Sequence, residues 1–295
     1  MTRVGVIGLG VMGRAMAANL LAARHEVVVH SRSPRPVDAL VAKGAARAFD
    51  AADVGSRCDV VVTALPDSAA VEEVVLDAGG LFSAAPAGLL LVDTSTIAPE
   101  TARAVDVRAR ELGLRSLDAP VSGGERAAID GTLSIMVGGA AEDVTAAGPV
   151  LATLGRTIVH AGPAGAGQIV KAANQMIVAG TIALVAEAIV LLQRSGLDAA
   201  TAIPVLAGGL AGNRILDTRA SDMLAGRFAP GARVDLHHKD LGIALATARE
   251  AGVWTPMSAV SAQLFTALRG LGRGSLDHTA VLTLIDELSG GRPDG

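Results

Sequence analysis

The sequence predicts an α/β fold in which an N-terminal doubly wound parallel sheet is followed by an all-α C-terminal domain. In the first half of the chain, short apolar runs typical of strands alternate with segments of helical periodicity, which is the pattern of repeated βαβ units. After Gly162 the strand-like runs end, and long segments rich in Ala and Leu follow. Pro163 and its neighbouring glycines mark the change, since Pro and Gly interrupt regular structure. We therefore expect one domain over 1–162 and a second over 163–295.

The order of the apolar runs defines the expected elements. The strands of the first domain are expected at Val4 to Ile7, Val27 to His30, Val60 to Ala64, Leu89 to Asp93, Arg115 to Asp118, Ser134 to Gly138 and Thr157 to His160. Helices are expected at Arg14 to Ala23 and Val37 to Lys43. In the second domain the helices should be interrupted near 208–213, 228–231, 252–256 and 270–274, where Gly and Pro concentrate.

One apolar segment, Met176 to Leu192, approaches the roughly 20 residues that are needed to cross a bilayer. Glu187 lies within it, and a charge in the middle of a membrane span is costly. We therefore expect a buried helix, in the core or at a subunit contact, and no membrane association.

Composition limits the kind of protein. Apolar residues make up 51% of the 295 residues but aromatic residues only 2%, so an aliphatic core and a small aliphatic pocket are expected. The formal net charge of −4, with Lys and Arg scattered, argues against nucleic-acid binding. Cys58 is the only cysteine, which excludes an intrachain disulfide and fits a cytoplasmic location. The apolar start runs directly into a glycine-rich turn, so no signal peptide is expected.

The first expected strand runs into the sequence Gly8-Leu9-Gly10-Val11-Met12-Gly13, and a helical segment follows at once. In a G-x-G-x-x-G turn the first glycine permits the tight turn, the second lets backbone approach a pyrophosphate, and the third allows close packing of helix and strand. The helix N-terminus attracts the phosphates. The position of this motif at the first strand of a βαβ series predicts a Rossmann domain that binds a dinucleotide.

The end of the second expected strand indicates which dinucleotide is used. NAD sites place a carboxylate there for the ribose hydroxyls, whereas NADP sites often present an arginine to the additional phosphate. The sequence here is His30-Ser31-Arg32-Ser33-Pro34, which contains no carboxylate. Arg32 is suited to pairing with a 2′-phosphate, and Ser31 or Ser33 to donating a hydrogen bond. The pattern favours NADP and leaves NAD possible.

Further motifs follow in order along nearly the whole chain. They are Asp118-Ala119-Pro120-Val121-Ser122-Gly123-Gly124, Gly131-Thr132-Leu133-Ser134-Ile135-Met136-Val137-Gly138-Gly139, Gly165-Ala166-Gly167-Gln168-Ile169-Val170-Lys171-Ala172-Ala173-Asn174 and Lys239-Asp240-Leu241. With these motifs the chain resembles the β-hydroxyacid dehydrogenase family, which includes 3-hydroxyisobutyrate dehydrogenase, tartronate semialdehyde (2-hydroxy-3-oxopropionate) reductase and glyoxylate/succinic semialdehyde reductases. The resemblance implies a Rossmann domain, an all-helical domain, an active site in the cleft between them, and homodimers or homotetramers assembled through the helical half.

The resemblance also implies roles for Lys171, for the turn at Ser122 and for the residues that follow Lys171. The lysine that matches Lys171 is the acid/base of the family, and the turn Ser122-Gly123-Gly124 holds the substrate carboxylate. Gln168, Lys171 and Gln175 are spaced to share one face of a helix. The family usually has two consecutive asparagines after the lysine, whereas this chain has Asn174-Gln175. The additional methylene of Gln175 should carry its amide further into the pocket, where it would still bind substrate together with Asn174.

Other residues are expected around the cofactor. The resemblance implies that Lys239 reaches toward the nicotinamide and substrate. Leu65-Pro66 and Thr96 follow expected strands, where Rossmann loops cover a cofactor. No metal site is expected, because the adjacent residues His237 and His238 do not face each other on a helix and lack an acidic partner at ligand spacing.

The expected reaction is reversible hydride transfer between NADP(H) and a short 3-hydroxy acid or its semialdehyde, with a small carboxylate as substrate. Two alternatives stay open. Imine reductases resemble the same two-domain plan but generally replace the lysine by Asp or Tyr, and a non-catalytic NADPH-binding scaffold would be expected to have lost it. The presence of Lys171 favours the dehydrogenase. The alternatives rest on two departures from the family pattern, Gln175 and Ala232, the second of which is often Phe in relatives.

Overall fold

The computed structural model describes residues 2–290. The chain divides into two compact units, Met1–Lys171 and Ala172–Gly295. The first unit contains a sheet with helices, and the regular elements among the described residues of the second unit are helices. The expected class, a Rossmann domain followed by an all-α domain, is confirmed. Residues 291–295, the end of the expected second domain, lie outside the described part.

The sheet of the first unit contains most of the predicted strands. Its strands are β1 (Arg3–Ile7), β2 (Glu26–His30), β3 (Ala46–Arg47), β4 (Val60–Thr63), β5 (Leu90–Asp93), β6 (Arg115–Asp118), β7 (Val121–Ser122), β8 (Leu133–Gly138) and β9 (Gly155–Gly162). They lie in the order β3-β2-β1-β4-β5-β6-β8-β7, with β9 paired to β8. Strands β3 and β7, of two residues each, were not predicted, because such short runs carry no periodicity.

The sheet departs from the expected parallel pairing at one edge. Pairing is parallel from β3 to β6, but β8 runs antiparallel to β6 and β7 and parallel to β9. The chain between β6 and β8 first forms β7, which pairs antiparallel with β8 through Ser122 and Ser134, and then a short helix over Gly124–Ile129 that leads into β8. This reversal creates the turn after Ser122.

Helices cover both faces of the sheet. They are α1 (Val11–Ala22), α2 (Pro34–Val41), α3 (Ala51–Arg57), α4 (Ser68–Leu76), α5 (Pro99–Glu111), α6 (Gly124–Ile129) and α7 (Ala141–Leu154). Side chains alternate between the faces with the strand period of two, since Val60 and Val62 join one buried cluster and Val61 the other. Burial of both faces explains why the central strands are continuously apolar.

The second unit contains the remaining helices. They are α8 (Ala166–Arg194), which begins in the first unit, α9 (Ala199–Gly208), α10 (Arg214–Leu224), α11 (Val234–Glu250), α12 (Pro256–Gly270) and α13 (Val281–Leu288). Four of the interruptions lie at the predicted Gly- and Pro-containing segments, whereas the break at 195–198 between α8 and α9 was not predicted. Asp198 caps α9 and Asn213 caps α10 by accepting backbone N–H groups, as expected for these residue types.

Helix α8 is long and apolar enough to cross a bilayer by length and composition. Core helices of globular proteins pass the same test. Ala179, Ile182, Ala186 and Ile189 are fully buried in the apolar cluster of the second unit. This helix is therefore the core helix that the sequence predicts for Met176 to Leu192.

Candidate active site

The three glycines of the first motif occupy three different environments. Gly8 has φ of +91°, and a Cβ there would lie 2.5 Å from the carbonyl oxygen of Ala64. A Cβ on Gly13 would overlap the carbonyl oxygen of Gly8, whereas a Cβ on Gly10 would meet nothing within 4 Å. Gly8 and Gly13 are thus required by the turn itself, while Gly10 leaves open space above the backbone.

The start of α1 presents unpaired backbone N–H groups. Gly10 is the N-cap residue and has no side chain to accept them, and the first turn of α1, which lies within the described residues, contains no acidic residue. Leu9 is buried, and its N–H donates to Ser31 Oγ at 3.5 Å, whereas Val11 is 39% exposed and Met12 is half-buried. Free N–H groups at a helix N-terminus, together with the helix dipole, form an anion site.

The end of β2 adds positive charge beside this turn. Ser31, whose hydroxyl accepts from Leu9, is half-buried, and Arg32 and Ser33 are exposed. Ser33 is the N-cap residue of α2, and exposed Arg35 lies in the first turn of that helix. The sequence prediction did not include Arg35, although its position two residues after Ser33 was a usable signal.

The loops after β4 and β5 are held together by side-chain hydrogen bonds. Thr63 Oγ1 donates to Asp93 Oδ1 at 2.7 Å. Leu65 N–H donates to Ser95 Oγ at 2.8 Å. Thr96 is half-buried, and Pro66 is exposed at the tip of the first loop. The structure thus joins the two loops that the sequence assigned to the cofactor.

Ser122 ends β7, and the turn that follows requires glycine. Gly123 has φ of +132° and Gly124 has φ of +70°, values that side chains with a Cβ rarely adopt. A Cβ on Gly123 would also lie 2.5 Å from Cβ of Ala127. Ser122 itself is half-buried.

Lys171 lies in the second turn of α8 and is only 7% exposed. Its Nζ donates to the carbonyl oxygen of Val121 at 2.8 Å. Val121 precedes Ser122 in β7, so the buried ammonium group and the glycine turn belong to one local arrangement. Burial of an ammonium group is costly unless it is hydrogen-bonded, and this bond provides a partner.

Asp118 fixes the start of α8. Its Oδ1 accepts from Gly165 N–H at 2.8 Å and its Oδ2 from Gln168 N–H at 2.9 Å. Burial raises the pKa of this carboxyl from 3.8 to about 6, against the lowering effect of the Gly165 and Gln168 hydrogen bonds. From sequence, Asp118 was named only as the first residue of a motif and was given no role. Its position at the end of a strand was the available signal for a functional role.

Asp118 predicts a pH-dependent stability. Because its pKa is higher in the folded than in the unfolded chain, its contribution to the free energy of unfolding is greatest below pH 4 and is lost as the pH rises through 6. The free energy of unfolding of wild type relative to Asp118→Asn should therefore fall by about 2 kcal/mol between pH 4.5 and 7.5 in urea titrations. Asp198→Asn is the control, since hydrogen bonds from Thr201 and Ala200 lower the pKa of Asp198, so that this carboxyl is ionised in both states and contributes no slope over this range. A pH-independent difference for Asp118→Asn would contradict this prediction.

The second unit holds a separate polar cluster. Asn174 Nδ2 donates to Gln175 Oε1 at 2.8 Å, and Gln175 Nε2 donates to Asp240 Oδ2 at 2.6 Å. Lys239 Nζ pairs with Asp240 Oδ1 at 3.0 Å. Gln175 is only 7% exposed, and its amide forms hydrogen bonds with Asn174 and Asp240. The structure thus brings together Asn174, Gln175 and Lys239 through an aspartate that was not assigned a role from sequence.

His237 and His238 have different surroundings, as expected for adjacent helical residues. Buried His237 stacks on Phe265 with ring centroids 4.7 Å apart, and its Nδ1 lies 3.0 Å from Nδ1 of His278. His238 contacts Thr266 and Arg269, and burial and the charge of Arg269 lower its pKa. The two rings therefore do not converge on one point.

Known proteins match both halves of the chain. The model of the NAD binding domain of 6-phosphogluconate dehydrogenase matches residues 3–162, and that of the NAD-binding domain of NADP-dependent 3-hydroxyisobutyrate dehydrogenase matches residues 165–285. The 3-hydroxyisobutyrate dehydrogenase of Pseudomonas aeruginosa is 42% identical over 90% of this chain and 92% of its own length. The chain belongs to the β-hydroxyacid dehydrogenase family. The resemblance seen in the motifs is thus confirmed.

Other members of the family show the same extent of similarity. The 2-hydroxy-3-oxopropionate reductase of Escherichia coli is 38% identical over 96% of this chain and 97% of its own length. The structure of Mycobacterium tuberculosis 3-hydroxyisobutyrate dehydrogenase with L-serine has a TM-score of 0.86 and 34% identity, covering 97% of this chain and 99% of that protein. As a member of this family, the present chain is an NAD(P)-dependent oxidoreductase that acts on the CH–OH group of hydroxy acids.

Proposed function

We propose that this enzyme transfers hydride reversibly between NADP(H) and a short 3-hydroxy acid, the oxidised partner being a semialdehyde. The observation that carries the proposal is the buried Lys171, whose Nζ donates to the carbonyl of Val121, the residue before Ser122. A proton donor thus lies beside a glycine turn suited to a carboxylate. The substrate is a small carboxylate in this proposal, in keeping with an aromatic content of only 2%.

The first motif fits the cofactor. Open space at Gly10 and the unpaired N–H groups of α1 suit a pyrophosphate. We assign the cofactor contacts of the first unit to Gly8, Leu9, Gly10, Val11, Met12, Gly13, Ser31, Arg32, Ser33, Leu65, Pro66 and Thr96. When bound, the reduced nicotinamide supplies a hydride to the carbonyl carbon of the substrate.

The chain's own residues do the remaining chemistry. Lys171 holds the proton that the carbonyl oxygen takes as negative charge develops there, which is general acid catalysis. In the oxidative direction the same nitrogen accepts the proton from the alcohol. Ser122 and the backbone N–H groups of Gly123 and Gly124 bind the substrate carboxylate, because a hydroxyl and exposed amides in a glycine turn favour an anion.

The polar cluster of the second unit completes the assignment on the family pattern. We propose Asn174 and Gln175 as substrate contacts and Lys239 as a cofactor contact. Asp240 supports both, since it pairs with Lys239 and accepts from Gln175. An ammonium group and an amide held by one carboxylate have a fixed separation, which suits recognition of a single substrate geometry.

Arg32 supports NADP as the preferred cofactor. It is exposed beside the N-terminus of α2, where a phosphate would receive a charge-assisted pair. Arg32→Ala should raise the Kd for NADPH about 10- to 100-fold, which corresponds to a hydrogen bond to a charged group of about 1.5–3 kcal/mol. The Kd for NADH should change less than about twofold, since NADH lacks the phosphate. Fluorescence titration of the reduced nicotinamide measures both values.

Two further arginines sharpen this measurement. Arg35→Ala tests whether the neighbouring arginine shares the phosphate, and Arg156→Ala on β9 serves as an exposed arginine outside the assigned site. If wild type binds both cofactors equally and Arg32→Ala weakens neither, NADP preference is wrong.

The reaction is tested by oxidation of NADPH and NADH with purified enzyme and a panel of short semialdehydes, glyoxylate and cyclic imines. Turnover of a semialdehyde with NADPH supports the proposal and names the substrate. Turnover of cyclic imines alone would indicate an imine reductase. Tight NADPH binding without turnover of any panel member would indicate a non-catalytic scaffold.

We also propose a cytoplasmic homodimer or homotetramer formed through the helical unit. Ile177, Leu184 and Leu191 follow each other at seven-residue spacing on α8 and are 70%, 61% and 67% exposed. Exposed apolar side chains repeated along one face of a helix suit an interaction site. Sedimentation velocity at micromolar concentration measures the state, and a monomer there would contradict this assembly.

A further inference from the structure

The side chain of Gln168 is buried between α8 and the loop after β5. It is 1% exposed. Its Oε1 accepts from Ile97 N–H at 3.1 Å, and its Nε2 donates to the carbonyl oxygen of Ser95 at 2.9 Å. These two groups belong to the peptide units on either side of Thr96. A single amide therefore fixes the backbone on both sides of a residue assigned to the cofactor.

The same loop is tied to its neighbour. Ser95 Oγ accepts from Leu65 N–H at 2.8 Å, and Ser95 N–H donates to Asp93 Oδ1 at 3.1 Å. Leu65 begins the loop after β4, which is also assigned to the cofactor. An interaction that holds the Ser95 peptide thus constrains both loops.

On the other side, Gln168 belongs to the turn of α8 that leads to Lys171. Its backbone N–H donates to Asp118 Oδ2 at 2.9 Å. Lys171 follows three residues later on the same helical face and donates to Val121 O at 2.8 Å. The orientation of this turn sets the position of the lysine nitrogen.

We infer that Gln168 is a positioning residue that couples the two cofactor loops to Lys171. It makes no contact with reacting atoms in this role. Ordering of the loops around a bound dinucleotide is transmitted through the amide of Gln168 to the first turns of α8. The inference rests on the proposed function for its kinetic consequence, but the coupling itself is a property of the first unit and can be measured without substrate.

The test is Gln168→Met, which keeps the length of the side chain and removes both hydrogen bonds. Hydrogen exchange measured by mass spectrometry, with and without NADPH, is the first readout. In wild type, NADPH should slow exchange in 94–97 and in 166–172 together. In Gln168→Met the effect on 94–97 should persist, and the effect on 166–172 should be lost.

Kinetics provide the second readout. A displacement of Lys171 of the order of 1 Å lowers the rate of the chemical step about 10- to 100-fold. We expect kcat for semialdehyde reduction to fall by that factor with KM changed less than about threefold, and the primary deuterium isotope effect on kcat to rise. Gln168→Glu, which retains the acceptor for Ile97, should recover part of the coupling at pH values where its carboxyl is protonated.

Ser116→Ala is the matched control. Ser116 is 4% exposed and donates to Asp106 at 3.2 Å, at the opposite end of β6 from Asp118. This variant should lower the unfolding temperature without changing coupled exchange or kcat. If Gln168→Met shows coupled exchange like wild type, the inference is wrong. If coupling is lost in Gln168→Met but semialdehydes are not turned over by wild type, the proposed function fails while the coupling stands.

Discussion

Lys171→Met is expected to lower kcat for semialdehyde reduction by about 10²- to 10⁴-fold, the range typical of removing a general acid. The variant loses the proton donor and keeps an unbranched side chain that is one atom shorter. Alanine would in addition leave a cavity at a position that is only 7% exposed. Methionine therefore separates loss of the proton from loss of packing. Single-turnover oxidation of NADPH measures the chemical step directly.

Binding of NADPH to Lys171→Met should stay within about threefold of wild type. The cofactor contacts assigned in the first unit lie in the glycine motif, at the end of β2 and in the loops after β4 and β5. Lys171 Nζ donates to Val121 O, a residue of β7 that is not among these cofactor contacts. A lysine needed only for folding would behave differently, since its loss would lower cofactor binding, the unfolding temperature and turnover together.

Lys171→Arg supplies the companion measurement. Arginine keeps the positive charge but does not release its proton in the accessible pH range. If charge alone stabilised the developing alkoxide, this variant would retain most of the activity. A loss in Lys171→Arg comparable to that in Lys171→Met supports proton transfer. A kcat for Lys171→Met within about tenfold of wild type would rule out the assigned role.

Local sequence patterns predicted the fold and the location of the turns well. Apolar runs identified the longer strands because fully buried strands read as continuous Val and Leu segments. The glycine motif gave the position of the cofactor turn because its steric requirements are local. The antiparallel edge was missed, since β7 has two residues and its pairing with β8 depends on the path of the chain rather than on periodicity.

Long-range polar contacts could not be obtained from one sequence. Gln168 was recognised as sharing a face with Lys171, but its partners Ser95 and Ile97 lie more than 70 positions away along the chain. Gln175 was expected to extend into a pocket, while the structure directs its Nε2 to Asp240, 65 positions away. Donor and acceptor types can be read from a sequence, but partners require the packing.

The second large effect concerns two glycines of one motif that should respond in opposite ways. Gly13→Ala should lower the free energy of unfolding by about 3 kcal/mol or more, because the new Cβ would overlap the carbonyl oxygen of Gly8. Gly10→Ala should have nearly wild-type stability, since its Cβ would meet nothing within 4 Å and its φ of −65° suits alanine. Urea unfolding of the cofactor-free proteins measures both.

Dinucleotide binding should separate the same pair. The space above Gly10 is where the motif brings backbone to a pyrophosphate, so a methyl group there should raise the Kd for NADPH about 100-fold or more. If Gly10→Ala is stable but no longer binds NADPH, then this glycine is required for the cofactor rather than for the fold. Gly13→Ala should lose binding as well, but together with stability, because the turn must open to admit the methyl group. If Gly10→Ala binds NADPH normally, the phosphate does not lie over this turn, and the anion site at the N-terminus of α1 would have to be reassigned.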